Sequence, residues 1–235
     1  MITYLSPVPW HSFDQRPHAF VRWLHERTGT RVRWIEPYVT RSPKLTDFRN
    51  YLLDRTRLNN SNPEWLEVVS IAALPLEPVS VGRKLNSLVW KSVLRSVVSE
   101  SSNNLIIAGK PSSFLSEVLS AKPNSRFYFD VMDHYAQFYS GAARTQMSHN
   151  MNFALSRADF VSFSGQELAN TFSQNVHGQS EVLSNGFSSE HVSKLRARNI
   201  EGDFGYVGTV AEWFDFDLVQ TLANAFPTRN IRIIG

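Results

Sequence analysis

Residues 1–35, MITYLSPVPWHSFDQRPHAFVRWLHERTGTRVRWI, decide the fold, because they hold two short apolar runs separated by a helical stretch. The runs are Ile2–Leu5 and Val32–Ile35, and both have the length and composition of buried strands. Between them, Pro17 suits the first turn of a helix and Gly29 suits its end. This order predicts a β-α-β unit, which is the building block of a parallel sheet.

The same alternation continues along the chain. Helical spacing is found at residues 83–98, 143–157, 166–174 and 217–225, and a further helix is predicted near residues 45–58. Strand-type apolar runs lie at 105–108, 127–129, 160–163, 204–207 and 231–234. The predicted fold class is therefore α/β, with a doubly wound, mainly parallel, Rossmann-like sheet covered by helices on both faces.

The domain organisation follows from a shift in composition after Phe187, where the chain becomes polar and charged. We predict an N-terminal domain at 1–190, a linker at 191–202 and the first β-α-β unit of a second α/β domain at 203–235. One unit of about thirty residues cannot bury a core alone. Either this unit docks onto the first sheet, or the chain is the front part of a longer protein and its second domain is incomplete.

Composition excludes several classes of site and partner. The chain has no cysteine, which excludes a disulfide scaffold, a thiolate zinc site and a cysteine nucleophile. No signal peptide or long apolar run is present, so we expect a cytoplasmic protein. The net charge of +3 is too small to predict nucleic-acid binding, although residues 16–57 carry ten basic side chains against four acidic ones.

Parallel sheets bind ligands beyond the carboxyl ends of their strands, so the loops after each strand hold the candidate residues. The first loop ends at the start of a helix, where free backbone amides attract anions. It offers four candidates for binding an acceptor: Trp10, Gln15, Arg16 and His18. Alternatively, this segment does no more than open the helix.

The second loop follows residues 127–129 and contains Asp130, Asp133 and His134. Two carboxylates and an imidazole at a strand end are typical of acid–base chemistry or of binding to sugar hydroxyls. Either aspartate alone is also a common helix cap. Three such ligands without a fourth are weak grounds for a metal, so we predict neither a metal nor another cofactor.

Two later loops offer small residues at strand ends. Asn185 lies in an Asn-Gly turn, and Gly208 with Thr209 follows an apolar run, with Glu212 close behind. Glycine allows backbone amides to approach a phosphate closely, which makes this a candidate phosphate-binding site. The spacing does not match the Rossmann glycine fingerprint.

Together these loops resemble those of bacterial glycosyltransferases with the GT-B fold, close to the family 4 type that builds teichuronic acid, exopolysaccharide and O-antigen chains. The residues that carry the resemblance are Trp10 with Gln15-Arg16-Pro17-His18, Phe129-Asp130 with Met132-Asp133, Asn185-Gly186-Phe187, and Tyr206-Val207-Gly208-Thr209 with Glu212-Trp213-Phe214-Asp215. The resemblance spans essentially the whole chain, although each motif alone is unspecific.

The resemblance implies transfer of a sugar from a nucleotide-sugar donor to a lipid-linked or polysaccharide acceptor in cell-surface glycan synthesis. The first domain would hold the acceptor and the second the donor, which Gly208, Thr209, Glu212 and Asn185 would bind. Arg16, Asp130, Asp133 and Gly208 are predicted to line one cleft, because each lies just beyond the carboxyl end of its strand. In a retaining enzyme Asp133 or His134 would position the donor sugar, and in an inverting enzyme Asp133 would be the base. The acidic pair that should grip the donor is missing, so we expect this chain to be inactive alone.

Residues 83–98 combine an apolar stripe with Arg83, Lys84, Lys91 and Arg95, as interfacial helices do. They predict either peripheral attachment to a membrane or an ordinary helix that covers the sheet.

Two other functions stay open for the chain as a whole. The first is that of a non-catalytic ligand-binding or regulatory domain. The second is that of another α/β enzyme such as a sugar-nucleotide epimerase, although the first loop lacks the glycines that an epimerase needs.

Overall fold

The computed structural model describes residues 1–40, 62–99, 105–186, 204–210 and 214–235. The chain divides into two compact units, Met1–Gly186 and Phe187–Gly235. The predicted linker at 191–202 and the predicted helix near 45–58 lie outside the described residues, so these predictions and the domain boundaries stay as they were.

The first unit alternates strands and helices. Its strands are β1 (Ile2–Leu5), β2 (Val32–Ile35), β3 (Leu66–Val69), β4 (Leu105–Ala108), β5 (Arg126–Val131), β6 (Phe160–Phe163) and β7 (Gln179–Val182). Its helices are α1 (Arg16–Thr28), α2 (Ser80–Ser99), α3 (Ser113–Ala121), α4 (Gly141–Arg157) and α5 (Gln166–Phe172), with a 3-10 turn at Tyr135–Phe138.

All seven strands form one sheet in the order β3-β2-β1-β4-β5-β6-β7, and every neighbouring pair is parallel. The chain winds outward from β1 to β3 and then crosses back to β4, so β1 and β4 are the strands at which the winding direction reverses. This topology confirms the predicted doubly wound, Rossmann-like sheet. It also places a crevice beyond the carboxyl ends of β1 and β4.

Both faces of the sheet are buried, because helices cover each of them. One core contains Trp90 from α2, Phe114 from α3 and Met147 from α4, packed against the strands. The other contains Val21 from α1 packed against Tyr4 and Trp34. Strands buried on both faces explain why β1, β2 and β4 appear in the sequence as nearly continuous apolar runs.

The structure corrects the orientation expected for α2. If this helix covered the sheet in the ordinary way, Leu85, Leu88 and Val89 would face inward, but all three are exposed. The face that packs inward instead includes Trp90 and Val97. The apolar stripe seen in the sequence is therefore divided, because Leu85, Leu88 and Val89 lie on the surface of the unit whereas Val97 is buried.

The second unit is a single β-α-β motif made of β8 (Phe204–Val207), α6 (Phe216–Ala225) and β9 (Ile231–Ile234). The two strands are parallel, with Phe204 opposite Ile231 and Val207 opposite Ile234. The Asp215 carboxylate caps α6 by accepting a hydrogen bond from the Leu218 amide at 2.8 Å. No side chain among its described residues is fully buried, as expected for one such motif described by itself.

Candidate functional site

The candidate site of the first unit lies at the carboxyl edge of the sheet, around the loops that follow β1, β4 and β5. Gly109, directly after β4, lies where these loops come together. A Cβ atom there would be 2.7 Å from Met132 Cε and 2.8 Å from Pro7 Cδ. Glycine therefore suits the close approach of the three loops, because a larger residue would have to displace Pro7 and Met132.

Arg16 and Asp130 form a two-pronged ion pair at this edge. The guanidinium donates from Nη2 to Oδ1 at 2.8 Å and from Nε to Oδ2 at 3.0 Å. The same guanidinium donates from Nη1 to the Leu183 carbonyl and to Asn185 Oδ1, at 2.6 and 3.2 Å. The structure thus brings together three residues that the sequence analysis selected separately, from the loops after β1, β5 and β7.

Asp130 is almost fully buried, and protein groups occupy both of its carboxylate oxygens. Besides Arg16, the Ser162 hydroxyl donates to Oδ1 at 2.5 Å, and the Tyr128 hydroxyl donates to Ser162 at 2.8 Å. Burial is the largest single influence and lowers the pKa of Arg16, but the hydrogen bonds to Asp130 and the attraction of its negative charge together outweigh burial, so the net shift is upward. This arrangement suits a positioning role for Asp130 better than the catalytic role predicted for it.

His18 is fully buried in the core beneath α1, where its ring packs against Trp10 and Trp34. The Gln15 amide donates to Nδ1 at 3.2 Å, so the proton lies on Nε2, which donates to the Trp10 carbonyl at 3.1 Å. Both nitrogens are thus satisfied internally. His18, together with Trp10 and Gln15, therefore shapes the loop after β1, and the predicted contact of His18 with an acceptor stays a prediction.

Asp133 and His134 follow β5 in a loop that is anchored from two sides. The Tyr135 hydroxyl donates to the Gly109 carbonyl at 2.6 Å, and the Ser164 hydroxyl donates to the Met132 carbonyl at 2.8 Å. These bonds tie the loop to the ends of β4 and β6. The two candidate catalytic side chains are therefore held on an anchored loop rather than on a free one.

The environments of these two side chains differ. The Asp133 side chain is exposed, yet partial desolvation raises the pKa of its carboxyl above the ordinary value. His134 packs its ring 4.8 Å from that of Phe172, and its buried Nδ1 has no hydrogen-bond partner among the described residues. A carboxylate with a raised pKa is a better proton acceptor than an ordinary one.

A small cavity of about 20 Å³ opens between the carboxyl ends of β1, β2 and β4, with room for about one water molecule. Its polar lining was not singled out from the sequence and comprises Ser6, Glu36, Tyr38, Thr40, Lys110 and Ser112. Their positions in the sequence could have identified two of these residues, because Glu36 follows β2 directly and Lys110 follows β4 after one glycine. Their residue types alone did not distinguish them from ordinary surface charges.

In the second unit, the loop after β8 contains the predicted donor-binding residues Gly208 and Thr209. The Gly208 amide is not open to a ligand, because it donates to the Ile234 carbonyl at 2.9 Å and extends the sheet. The Tyr206 hydroxyl donates to the Thr209 carbonyl at 3.0 Å and shapes the turn. Glu212 lies outside the described residues, and the predicted cleft shared by Asp133 and Gly208 stays a prediction.

Over the part of the chain that the structure describes, no group of three or more histidine, aspartate or glutamate side chains is arranged to hold a metal ion. None of the described helices is long and apolar enough to cross a membrane.

Comparisons with known proteins find similarity in fold rather than in sequence. No protein-family model and no curated protein sequence matches the chain. Among solved structures, sucrose-phosphate synthase from Thermosynechococcus elongatus matches all of the chain with a TM-score of 0.66 at 13% identity. A UGT89C1 glycosyltransferase from Arabidopsis thaliana, solved with UDP-L-rhamnose, matches 99% of it with a TM-score of 0.51 at 12% identity.

The same Arabidopsis protein was also solved with quercetin, and that structure matches the whole chain with a TM-score of 0.51 at 11% identity. The chain spans 62% of the length of the sucrose-phosphate synthase and 64% of the protein solved with UDP-L-rhamnose. At these identities the similarity concerns the fold. The chain has the Rossmann-like α/β fold of GT-B glycosyltransferases.

Proposed function

We propose that this chain is part of a glycosyltransferase that moves a sugar from a nucleotide-sugar donor to a hydroxyl of an acceptor. The observation that carries the proposal is the match of the entire chain to glycosyltransferases, one of which was solved with UDP-L-rhamnose and with quercetin. The polar side chains at the carboxyl edge of the sheet support it, because this edge is where open α/β sheets bind ligands.

In this proposal the first unit holds the acceptor. The acceptor hydroxyl lies near Asp133 and His134, and Glu36 with Lys110 contacts the rest of the acceptor from the loops after β2 and β4. Asp133 takes the proton from that hydroxyl if the reaction inverts the sugar, and its raised pKa favours this role. If the reaction retains configuration, Asp133 and His134 position the donor sugar instead.

Arg16 and Asp130 have a positioning role in this proposal. Their ion pair joins the start of α1 to β5 and, through Asn185, to the loop after β7. This pair therefore fixes three loops at the carboxyl edge of the sheet. The donor itself is bound by the second unit, through the loop after β8 and Glu212.

We further propose that the acceptor is lipid-linked or a growing polysaccharide of the cell surface, as in family 4 enzymes, and that the protein works in the cytoplasm, at the inner face of the membrane. The motifs at Trp10, Gln15–His18 and Asn185–Phe187 support this narrower assignment.

A panel of UDP-, GDP- and dTDP-sugars, titrated by calorimetry into residues 1–235, tests the proposal together with transfer assays on any longer product of the same gene. We expect weak binding and little turnover from this chain alone, because each 1.4 kcal/mol of missing donor contacts costs about tenfold in affinity. Micromolar binding or robust turnover by residues 1–235 would contradict the expected incompleteness. Tight binding without transfer by the longer product would favour a ligand-binding domain.

A further inference from the structure

A groove of about 690 Å³ opens on the surface of the first unit, between α2, α3 and α4. Its volume lies within the range of sites that bind small molecules. It is separate from the candidate site described above, because its lining includes none of the described residues Arg16, Asp130, Asp133 and His134.

The lining of this groove is mostly polar. It contains four serines, which are Ser80, Ser87, Ser113 and Ser116, and its apolar part includes Trp90 and Phe153. The hydroxyls of Ser80, Ser87 and Ser116 have no hydrogen-bond partner among the described residues. Packing between helices does not require polar side chains of this kind, whereas ligand sites combine apolar surface with polar groups that converge.

Three basic side chains, Arg83, Lys84 and His149, also line the groove, and none of them forms an ion pair with a described carboxylate. Arg83 Nη1 donates to the Glu77 and Pro78 carbonyls at 2.9 and 3.3 Å, which holds the guanidinium in place. Its Nε and Nη2 donate to no described residue. This is the edge of the guanidinium that binds anions in a two-pronged manner.

A buried network supports the groove from behind. The Asn150 side chain is almost fully buried, donates to the Glu77 carboxylate at 2.9 Å and accepts from Gln146 at 2.8 Å. Ser113 donates to the same Glu77 oxygen from its amide and its hydroxyl, at 2.8 and 2.9 Å. These bonds fix α3 and α4 against the segment before α2, and a site that is fixed in advance loses less entropy on binding.

We propose that this groove binds a soluble phosphate monoester of a small polyol, such as a sugar phosphate, as a ligand separate from donor and acceptor. A phosphate dianion suits the groove because Arg83, Lys84 and His149 supply more positive charge than one carboxylate would balance. The ligand's hydroxyls suit the unbonded serines and Glu117, which lines the groove without an ion pair to a described residue.

Calorimetric titration of residues 1–235 with three phosphate esters tests this proposal. The esters are glycerol 3-phosphate, ribose 5-phosphate and mannose 6-phosphate, and the matched probes are inorganic phosphate and the corresponding unphosphorylated polyols. We expect at least one ester to bind about tenfold tighter, or more, than either of its probes. The reason is that each probe lacks one set of the hydrogen bonds.

Arg83→Gln with Lys84→Gln should lower the affinity about tenfold or more, since one hydrogen bond to a charged group is worth that much. The matched control is Lys91→Gln with Arg95→Gln, at exposed positions of α2 outside the groove. It should bind within about threefold of the parent, because charges beyond a Debye length are largely screened. Arg83 also binds backbone carbonyls, so Lys84→Gln with His149→Gln is a second variant, made at exposed positions, and its affinity should fall as well.

Two-dimensional NMR locates the bound ester. The amide signals of Ser116 and His149 should shift during the titration, and those of Arg16 and Asp133 should not. Shifts confined to Arg16 and Asp133 would overturn the proposal, because they would place the ester at the carboxyl edge of the sheet.

Three other results would also overturn it: absence of saturable binding by all three esters, equal losses in the groove and control variants, and esters that bind no tighter than inorganic phosphate. The last result would mean an adventitious ion only. The groove variants should bind nucleotide sugars as the parent does, so a failure of this proposal leaves the proposed transferase unaffected, and the reverse also holds.

Discussion

Asp130 illustrates how a candidate catalytic residue becomes a positioning residue once its partners are known. Its carboxylate is enclosed and paired with Arg16, whose side chain is only 15% exposed. We expect Asp130→Ala to destabilise the protein by about 3–5 kcal/mol, because it leaves a semi-buried guanidinium without its counter-ion. Urea unfolding followed by circular dichroism measures this loss.

The matched control is Asp14→Ala, which removes the Arg22–Asp14 ion pair on the surface. Exposed pairs contribute about 1 kcal/mol at most, so this variant should unfold close to the parent. Equal losses in the two variants would mean that the Arg16–Asp130 pair contributes no more than an ordinary surface pair.

Asp133 carries a prediction about pH. Burial raises the pKa of its carboxyl in the folded state, so the folded protein favours the protonated form. The contribution of Asp133 to stability is therefore complete below its unfolded pKa of about 3.9 and is lost as pH rises through the folded pKa. Asp133→Asn should gain stability relative to the parent as pH rises above about 4.

Urea midpoints of parent and Asp133→Asn between pH 3.5 and 7 measure this divergence, and carbon-13 NMR of the Asp133 carboxyl gives the titration directly. A carboxyl that titrates at or below the ordinary aspartate value would contradict the desolvation inferred from the structure.

At the scale of secondary-structure elements, the packing of α2 depends on Gly82, which lies close to Leu76. In an exposed helix, replacing glycine by alanine stabilises by up to about 1 kcal/mol. At Gly82 the added Cβ would overlap the carbonyl oxygen and the Cβ of Leu76. The carbonyl group is part of the backbone and cannot easily move away. We therefore expect Gly82→Ala to destabilise the protein by about 1–3 kcal/mol, as overpacking does.

Ser92→Ala is the control, because Ser92 is exposed in the middle of the same helix. It should stabilise the protein by a few tenths of a kcal/mol through helix propensity alone. A thermal melt in which Gly82→Ala is as stable as Ser92→Ala would show that α2 is not packed as described.

Some elements were predictable from the sequence and others were not, for physical reasons. β1, β2, β4 and β6 are buried on both faces, so their apolar runs identify them and their bounds agree with the structure. β7 is an edge strand whose four side chains are all exposed, so no hydrophobic pattern marks it. Its pairing depends on β6, which is a tertiary effect.

Part of the candidate site was also predictable from the sequence. The positions of Arg16, Asp130 and Asn185 follow from topology, because the carboxyl ends of parallel strands share one edge of the sheet. That Arg16 binds Asp130, 114 positions away, rather than a ligand depends on side-chain geometry that spacing does not encode. That the His18 side chain is buried in the core also depends on a contact that spacing does not encode, which is its packing with Trp34.

At the scale of the whole molecule, the first unit has a sheet buried on both faces, whereas the second unit exposes Val207, Phe216 and Ile234. The first unit is therefore expected to supply most of the stability. The central claim concerns the edge of its sheet, where Asp133 stands on a loop that is anchored to the ends of β4 and β6.

The most direct test of that claim is transfer of a radiolabelled sugar from a panel of nucleotide sugars, measured with the natural product of the gene and its Asp133→Asn variant. The account predicts transfer from at least one donor, and a loss of turnover of about 100-fold or more in the variant. Absence of transfer from every donor, or undiminished turnover in an Asp133→Asn protein that is folded like the parent, would contradict it.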